Sequence, residues 1–312
     1  MKKSKTTLLQ IPVYVEKQGD VKVSYSQYTM WANCPQQWKL TYMDGHKIDD
    51  PSIHLIFGTS MHETIQAWLD TMYSSSVKKA NEMDLNSMLR DTMANEYKKT
   101  MAIYGKKFTT KEQMNEFYQD GVEIIEYLKK KRALYFSTKK IKLVGIELPI
   151  YYPTANENVM MKGFLDLVFE DTENARIIID DIKTSTSGWN KWAKADKTKT
   201  AQLVLYKKFF SEQYGYDVDR IDVQYIILKR KLSENNIYDK RIQLFKPSAG
   251  SRTLKEITSN FDTFVSAAFN GDGTYRVDGL FPAKAGEKGK NCRFCPFKDR
   301  DDLCPKSQRH TI

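Results

Sequence analysis

The placement of four cysteines constrains the fold of this 312-residue chain more than any other feature. Three lie in CRFCPFKDRDDLCP, at Cys292, Cys295 and Cys304; the fourth is Cys34 in WANCPQQWKL, 258 positions before Cys292 (292 − 34). A site that uses all four must stitch the two ends of the chain together. In a reducing compartment, cysteines serve as metal ligands, catalytic thiols or inert core residues more often than as disulfides, and the C-x-x-C spacing favours metal. Four thiolates suit a closed zinc tetrahedron. Three of the four precede a proline (Cys34, Cys295 and Cys304), and a terminal Cys-Pro also occurs in iron–sulfur runs.

A chain of this length with 41% hydrophobic residues can bury a substantial core. No run approaches the ~18 apolar residues of a membrane span, and MKKSKTTLLQIPVYVEKQ lacks a signal-peptide pattern, which reads as a soluble, cytoplasmic protein with no membrane partner. Lysine and arginine exceed acids by ten (49 − 39). That excess fits a polyanionic partner whose phosphates release counterions on contact, although many basic proteins bind no nucleic acid.

Hydrophobic spacing predicts helices over 56–72, 84–104 and 111–135, with YGKKFTT breaking the last two. From Ile141 the pattern changes to short β-rich runs: IKLVGIELPIYY, VMMKGFLDLVFED and ARIIIDDIKTS. TAQLVLYKKFFSEQYG then reads as a helix with a glycine stop, and IDVQYIILKR and DKRIQLFKP as strands, giving the order β-β-β-α-β-β. A last amphipathic helix is expected over about 251–269. The chain divides into an N-terminal segment (1–20), a mainly helical part (21–140), a mixed core (141–270) and the cysteine-bearing end (271–312), with no clean linker between them.

Side chains alternate across a strand, so Asp181 and Lys183 in IIIDDIKTS share one face and Asp180 takes the other. An acid and a lysine on a half-buried strand are costly unless paired or used. Alone, such a D-x-K is more often a structural ion pair. Asp166 in GFLDL joins it if the second and third strands form a hairpin across DTENA, and oxygen ligands so arranged suit magnesium or manganese. Phosphodiester hydrolysis fits this set: the metal activates water and offsets developing charge, and Lys183 positions the water or stabilises negative charge. His62, four residues after Gly58 near a helix start, is a candidate ligand or an ordinary helical histidine. Glu147, between Ile146 and Leu148, is a candidate acid or a surface carboxylate. Gln202 and Tyr206 share a helical face, to orient substrate or to pack.

Taken together and in this order, SYSQYTMWANCPQQWKLTY, GTSMH, Glu147, GFLDL, DDIKTS, QLVLY and CRFCPF resemble the RecB-like branch of the PD-(D/E)xK nuclease superfamily, from Ser24 to Pro305. The resemblance implies a mixed α/β, restriction-endonuclease-like core sheet flanked by helices. It assigns metal binding to His62, Asp166, Asp181 and the backbone carbonyl of Ile182, and catalysis to Lys183, with Glu147, Gln202 and Tyr206 in support. The one-plus-three cysteines are similar to those of a subgroup including AddB-type subunits and CRISPR-adaptation nucleases, in which they hold a [4Fe–4S] cluster; here that implies Cys34, Cys292, Cys295 and Cys304. The eight residues between Cys295 and Cys304 exceed the family's spacing. They either loop out or leave Cys304 unliganded.

The implied activity is a magnesium- or manganese-dependent DNA exonuclease, acting on single-stranded ends in repair, recombination, or phage or CRISPR DNA processing. Alternatives are an endonuclease cutting duplex or structured DNA, and a non-catalytic DNA-binding protein with structural zinc. GEKGKN lacks the spacing and hydroxyl residue of a phosphate-binding loop, so unwinding would fall to a helicase, recombination or CRISPR partner. Trp31 and Trp38 read as core, whereas Trp189 and Trp192, among the lysines of KTSTSGWNKWAKADKTK, read as bordering a DNA channel.

Overall fold

A computed structural model of the chain describes residues 16, 19–46, 51–233 and 239–309. Most of the N-terminal segment set apart above, 1–20, lies outside them. The described elements run β1 (Val21–Val23), α1 (Tyr25–Asn33), α2 (Pro35–Trp38), a π-helical turn (Lys39–Met43), α3 (Ile53–Ser74), α4 (Val77–Glu82), α5 (Leu85–Tyr104), α6 (Lys111–Tyr135), β2 (Ile141–Pro153), β3 (Val159–Asp171), β4 (Arg176–Ser185), α7 (Lys191–Ala195), α8 (Lys197–Tyr214), β5 (Ile221–Lys229), β6 (Ile242–Phe245), α9 (Ser251–Ala268) and α10 (Lys306–Arg309). The mixed α/β architecture and the β-β-β-α-β-β order are as expected from the sequence. The long helices start and stop on recognisable chemistry. Ser52 accepts from the His54 N–H at the start of α3 and Asp196 from the Thr198 N–H at the start of α8, while Gly105 and Gly215, both left-handed, close α5 and α8.

The sheet is built on β3. Along one edge β3 pairs antiparallel with β2 over nearly its whole length; along the other it pairs with β4 from Leu167 to Asp171 and, in parallel, with β1 from Val159 to Met161. β5 continues the sheet in parallel with β4, and β6 closes it antiparallel to β5. Between Met161 and Leu167, β3 therefore has no ladder partner on its second edge, and the sheet forks there.

Two cores cover the sheet. One gathers α1, α8 and α9 against Val159, Met161, Leu165, Ile177 and Ile179; the other gathers α3, α5 and α6 against Leu167, Phe169, Ile182 and Leu228. Leu165 and Leu167 are two apart and ought to share a face, yet they lie in different cores. β3 thus changes face at Asp166. The first core draws residues from Val23 to Phe281, so segments far apart in the chain share one interior.

Candidate active site

The change of face has a visible backbone cause on the neighbouring strand. Ile146 pairs with Leu167 and Leu148 with Leu165, which sets Glu147 opposite Asp166, but that pair is missing from the ladder. Glu147 has φ of 49°, in the left-handed region that non-glycine residues avoid. Such a conformation costs on the order of 1–3 kcal/mol and persists only where the surroundings hold it. Here the restraint is Gln66, one helical turn after His62 on α3. Its buried amide donates to Glu147 Oε1 at 2.6 Å and to the Asp166 carbonyl at 3.4 Å, bridging the ladder gap. Gln66 went unnoticed in the sequence, where its one signal is the i, i+4 spacing from His62.

On the other side of the fork, the Asp166 carboxylate takes the place of a strand partner and accepts from the Ile182 N–H at 2.7 Å. His62 Nδ1 lies 3.5 Å from the same oxygen, Asp166 Oδ2. Among the described residues, His62, Glu147 and Asp166 form the one group of three histidine, cysteine or acidic side chains whose ligand atoms fall within 4.8 Å of one another. Asp181 and Lys183 do leave the same face of β4, with Lys183 Nζ 2.7 Å from Asp181 Oδ2. The ammonium is close but poorly directed: both Asp181 oxygens are buried without a hydrogen-bonding partner of good geometry. An orphaned, buried carboxylate beside three convergent ligand atoms fits a divalent cation.

Electrostatics agree with that fit. Burial raises the Asp166 carboxyl to about 8, with Asp181 adding to the rise and Lys183 opposing it. Burial lowers the His62 imidazole below its ordinary value, keeping it in the neutral form that ligates metal. Burial alone would lower the Lys183 ammonium, but Asp181 and Asp166 together hold it above its usual value, so it stays charged. Asp180, on the opposite face, is pushed up to about 7 by burial.

His62 lies farther into its helix than its sequence context implied, because α3 begins at Ile53. Gln202 Nε2 reaches the Tyr206 hydroxyl at 3.4 Å on the face of α8 that meets β3. A Cβ on Gly163 would come within 2.8 Å of the Tyr206 ring, so the glycine of GFLDL is where α8 packs onto the strand carrying Asp166. Tyr25 and Tyr225 fix the first turn of α8, donating to the carbonyls of Thr198 at 2.5 Å and Lys199 at 2.9 Å. Trp38 is fully buried. Trp189 is also packed, 4.8 Å from the Tyr225 ring, so of the two tryptophans expected at a channel Trp192 alone stands out, 74% exposed.

Cys34, Cys292, Cys295 and Cys304 all line a second cavity, where the α1–α2 corner meets the C-terminal segment. The longer last gap does not keep Cys304 away from it. The Lys284 N–H donates to Cys34 Sγ at 3.3 Å, Gln36 donates to the Leu303 carbonyl at 3.1 Å, and Asn291 donates to the Asn33 carbonyl at 2.7 Å. Burial raises the Cys292 and Cys295 thiols, and the neighbouring cysteines add to the rise.

The family model of the PD-(D/E)XK nuclease superfamily matches residues 22–304. The chain belongs to this superfamily of hydrolytic nucleases, whose members use divalent metals. Among solved structures, a crystal structure from Eubacterium rectale named "Putative exonuclease" is similar at 14% identity, covering 77% of this chain and 78% of that one, with a TM-score of 0.45. No curated protein matches the chain. Among the described residues no helix is long and apolar enough to cross a membrane.

Proposed function

We propose that the protein is a magnesium- or manganese-dependent deoxyribonuclease of RecB type, an exonuclease working on single-stranded DNA ends. The observation that carries this reading is the convergence of His62, Glu147 and Asp166 beside the orphaned, buried Asp181 and the charged Lys183. His62, Asp166, Asp181 and the Ile182 carbonyl would hold the cation, with Glu147 steadied by Gln66 at its edge. A bound divalent ion supplies Lewis acidity and a water of lowered pKa. Lys183, held as an ammonium, orients the attacking water and meets the negative charge that builds on the phosphate oxygens. Gln202 and Tyr206 brace β3 at Gly163, with Tyr206 near enough to Asp181 and Lys183 to feel their charges. Trp192, exposed with Lys191 Nζ 4.9 Å from its ring, supports a DNA path along α7.

The four cysteines are read as holding a [4Fe–4S] cluster that clamps the two ends of the chain. Helicase action, where the pathway needs it, comes from a partner protein.

The test is degradation of end-labelled single- and double-stranded DNA, linear and circular, with magnesium or manganese. Loss of linear single strands with circles spared is the expected result. Cleaved circles would convert the reading to an endonuclease, and DNA left intact under every metal condition would leave a non-catalytic DNA-binding protein.

A further inference from the structure

On the face of the sheet that packs against α8, a row of side chains runs outward from Asp181. Asp181 is the register partner of Tyr225 on β5, and Tyr225 that of Phe245 on β6. Neighbouring strands lie about 4.8 Å apart, so Phe245 stands about 10 Å across the sheet from Asp181. The Tyr225 and Phe245 rings stack at 6.2 Å, and Trp189 packs on both, 4.8 Å from the first and 6.0 Å from the second. Trp189 is also held by its backbone: the Gln243 amide accepts from its N–H at 2.7 Å and donates to its carbonyl at 3.1 Å. Two lysines use these rings as mounts. Lys194 Nζ lies 5.7 Å from the centre of Phe245 and Lys199 Nζ 5.6 Å from that of Trp189, both within cation–π range. The Lys199 carbonyl is tied to the same row, accepting from the Tyr225 hydroxyl at 2.9 Å and from the Tyr25 hydroxyl at 3.2 Å.

Most lysines on a protein surface are simply solvated. These two differ in mounting, in company and in place. Neither ammonium has an ion-pair partner among the described residues, whereas Lys197, between them in the chain, is paired with Glu256. Asp196, the one acid in the stretch 186–199, is taken by the Thr198 N–H at 2.9 Å and the Thr198 hydroxyl at 2.6 Å. Lys199 also stands where the helix dipole opposes a cation, because α8 opens with KTKT and has no acid in its first turn. A bound anion offsets that cost. We infer that Lys199 and Lys194 form a phosphate subsite that grips the backbone of the DNA strand next to the scissile bond. An ammonium on a fixed mount recognises a phosphate as a point charge, whatever the base attached to it. Trp189 then serves as the mount of a lysine and not as a platform for a base. The inference rests on the nuclease reading above and adds to it the place where the backbone of the substrate is held.

The experiment follows cleavage of a single-stranded oligonucleotide, and its binding with calcium by anisotropy, for wild type, Lys194→Gln, Lys199→Gln, the double variant and Lys197→Gln. Lys194→Gln and Lys199→Gln each raise KM roughly fivefold with kcat nearly unchanged, and each lowers the slope of log affinity against log salt by about 0.7. Replacing one phosphate at a time by an uncharged methylphosphonate weakens wild type at one or two positions beside the cut and adds nothing there in the double variant. An unchanged salt slope in the double variant overturns the inference, as does a methylphosphonate penalty of the same size in both proteins. A loss just as large in Lys197→Gln marks diffuse charge and overturns it too. Should wild type cut no DNA at all, the nuclease reading fails separately, and the subsite is judged by the salt slope and the methylphosphonate scan in calcium. Failure of wild type to bind any oligonucleotide rejects both.

Discussion

The acid cluster and the cysteine closure each join residues remote in sequence, but by different means. His62, Glu147, Asp166 and Asp181 are carried by α3 and three adjacent strands of one sheet, whose ladders stop on either side of them. The four cysteines sit at a corner and in a segment with little regular structure, joined across the gap by side-chain bonds such as Gln36 to Leu303 and Asn291 to Asn33. The first arrangement is fixed by burial and strand pairing before any ligand arrives. The second is held by hydrogen bonds across the gap and by a few buried side chains such as Phe297 and Ala285, and a metal or cluster on the thiols, as proposed above, would add to its stiffness.

The sharpest way to break the comparison is to empty the acid cluster. Asp181→Ala removes a carboxylate that contributes no well-directed hydrogen bond to the fold, so cleavage falls on the order of a thousandfold while circular dichroism and melting stay near wild type. Activity retained in that variant refutes the site assignment. At the other region the balance reverses. Cys34→Ser and Cys304→Ser each lose the guest and lower the Tm by roughly 10 °C. Anaerobically purified wild type is brown, with about four irons per chain; colourless protein with one zinc identifies the alternative guest, and an unchanged metal content in Cys304→Ser removes Cys304 from the ligand set. The smallest expected effect sharpens the first region. Gln66→Leu frees Glu147 from its restraint and raises the manganese concentration for half-maximal activity about tenfold, with the maximal rate less affected. An unshifted midpoint would reduce Gln66 to a packing residue.

What could be read from the sequence follows the same division. The helices over 85–104 and 111–135 are legible from their apolar spacing, and the thirteen residues of β3 from their β-rich composition between two turns. β1 is not: three residues give no period to detect, and it is a strand only because β3 offers an edge. α1 and α2 carry a motif but no clear helical period, since polar and aromatic residues interrupt their spacing. At the candidate site, D-x-K and GFLDL announced their acids, and the structure sets those acids side by side. The face change at Asp166 was invisible, because alternation predicts Leu165 and Leu167 on one side, and the switch arises from the left-handed Glu147 on another strand. Gln66 was missed because a glutamine on a helix carries no chemistry until its partner is known.

The seam between Cys34 and the last three cysteines also sets a clock for biosynthesis. At about 5–20 residues per second, Cys292 follows Cys34 out of the ribosome by roughly 13–52 s, since 258 residues separate them. For most of that interval, until residue 264 is made, the α1–α2 corner has Trp38 but none of Phe264, Phe269 and Phe281, the rings that surround it in the finished protein. A nascent chain in this state exposes a sticky aromatic surface and an unclaimed thiol. The need to shield this surface therefore lasts until late in translation, after every residue of the acid cluster has been made.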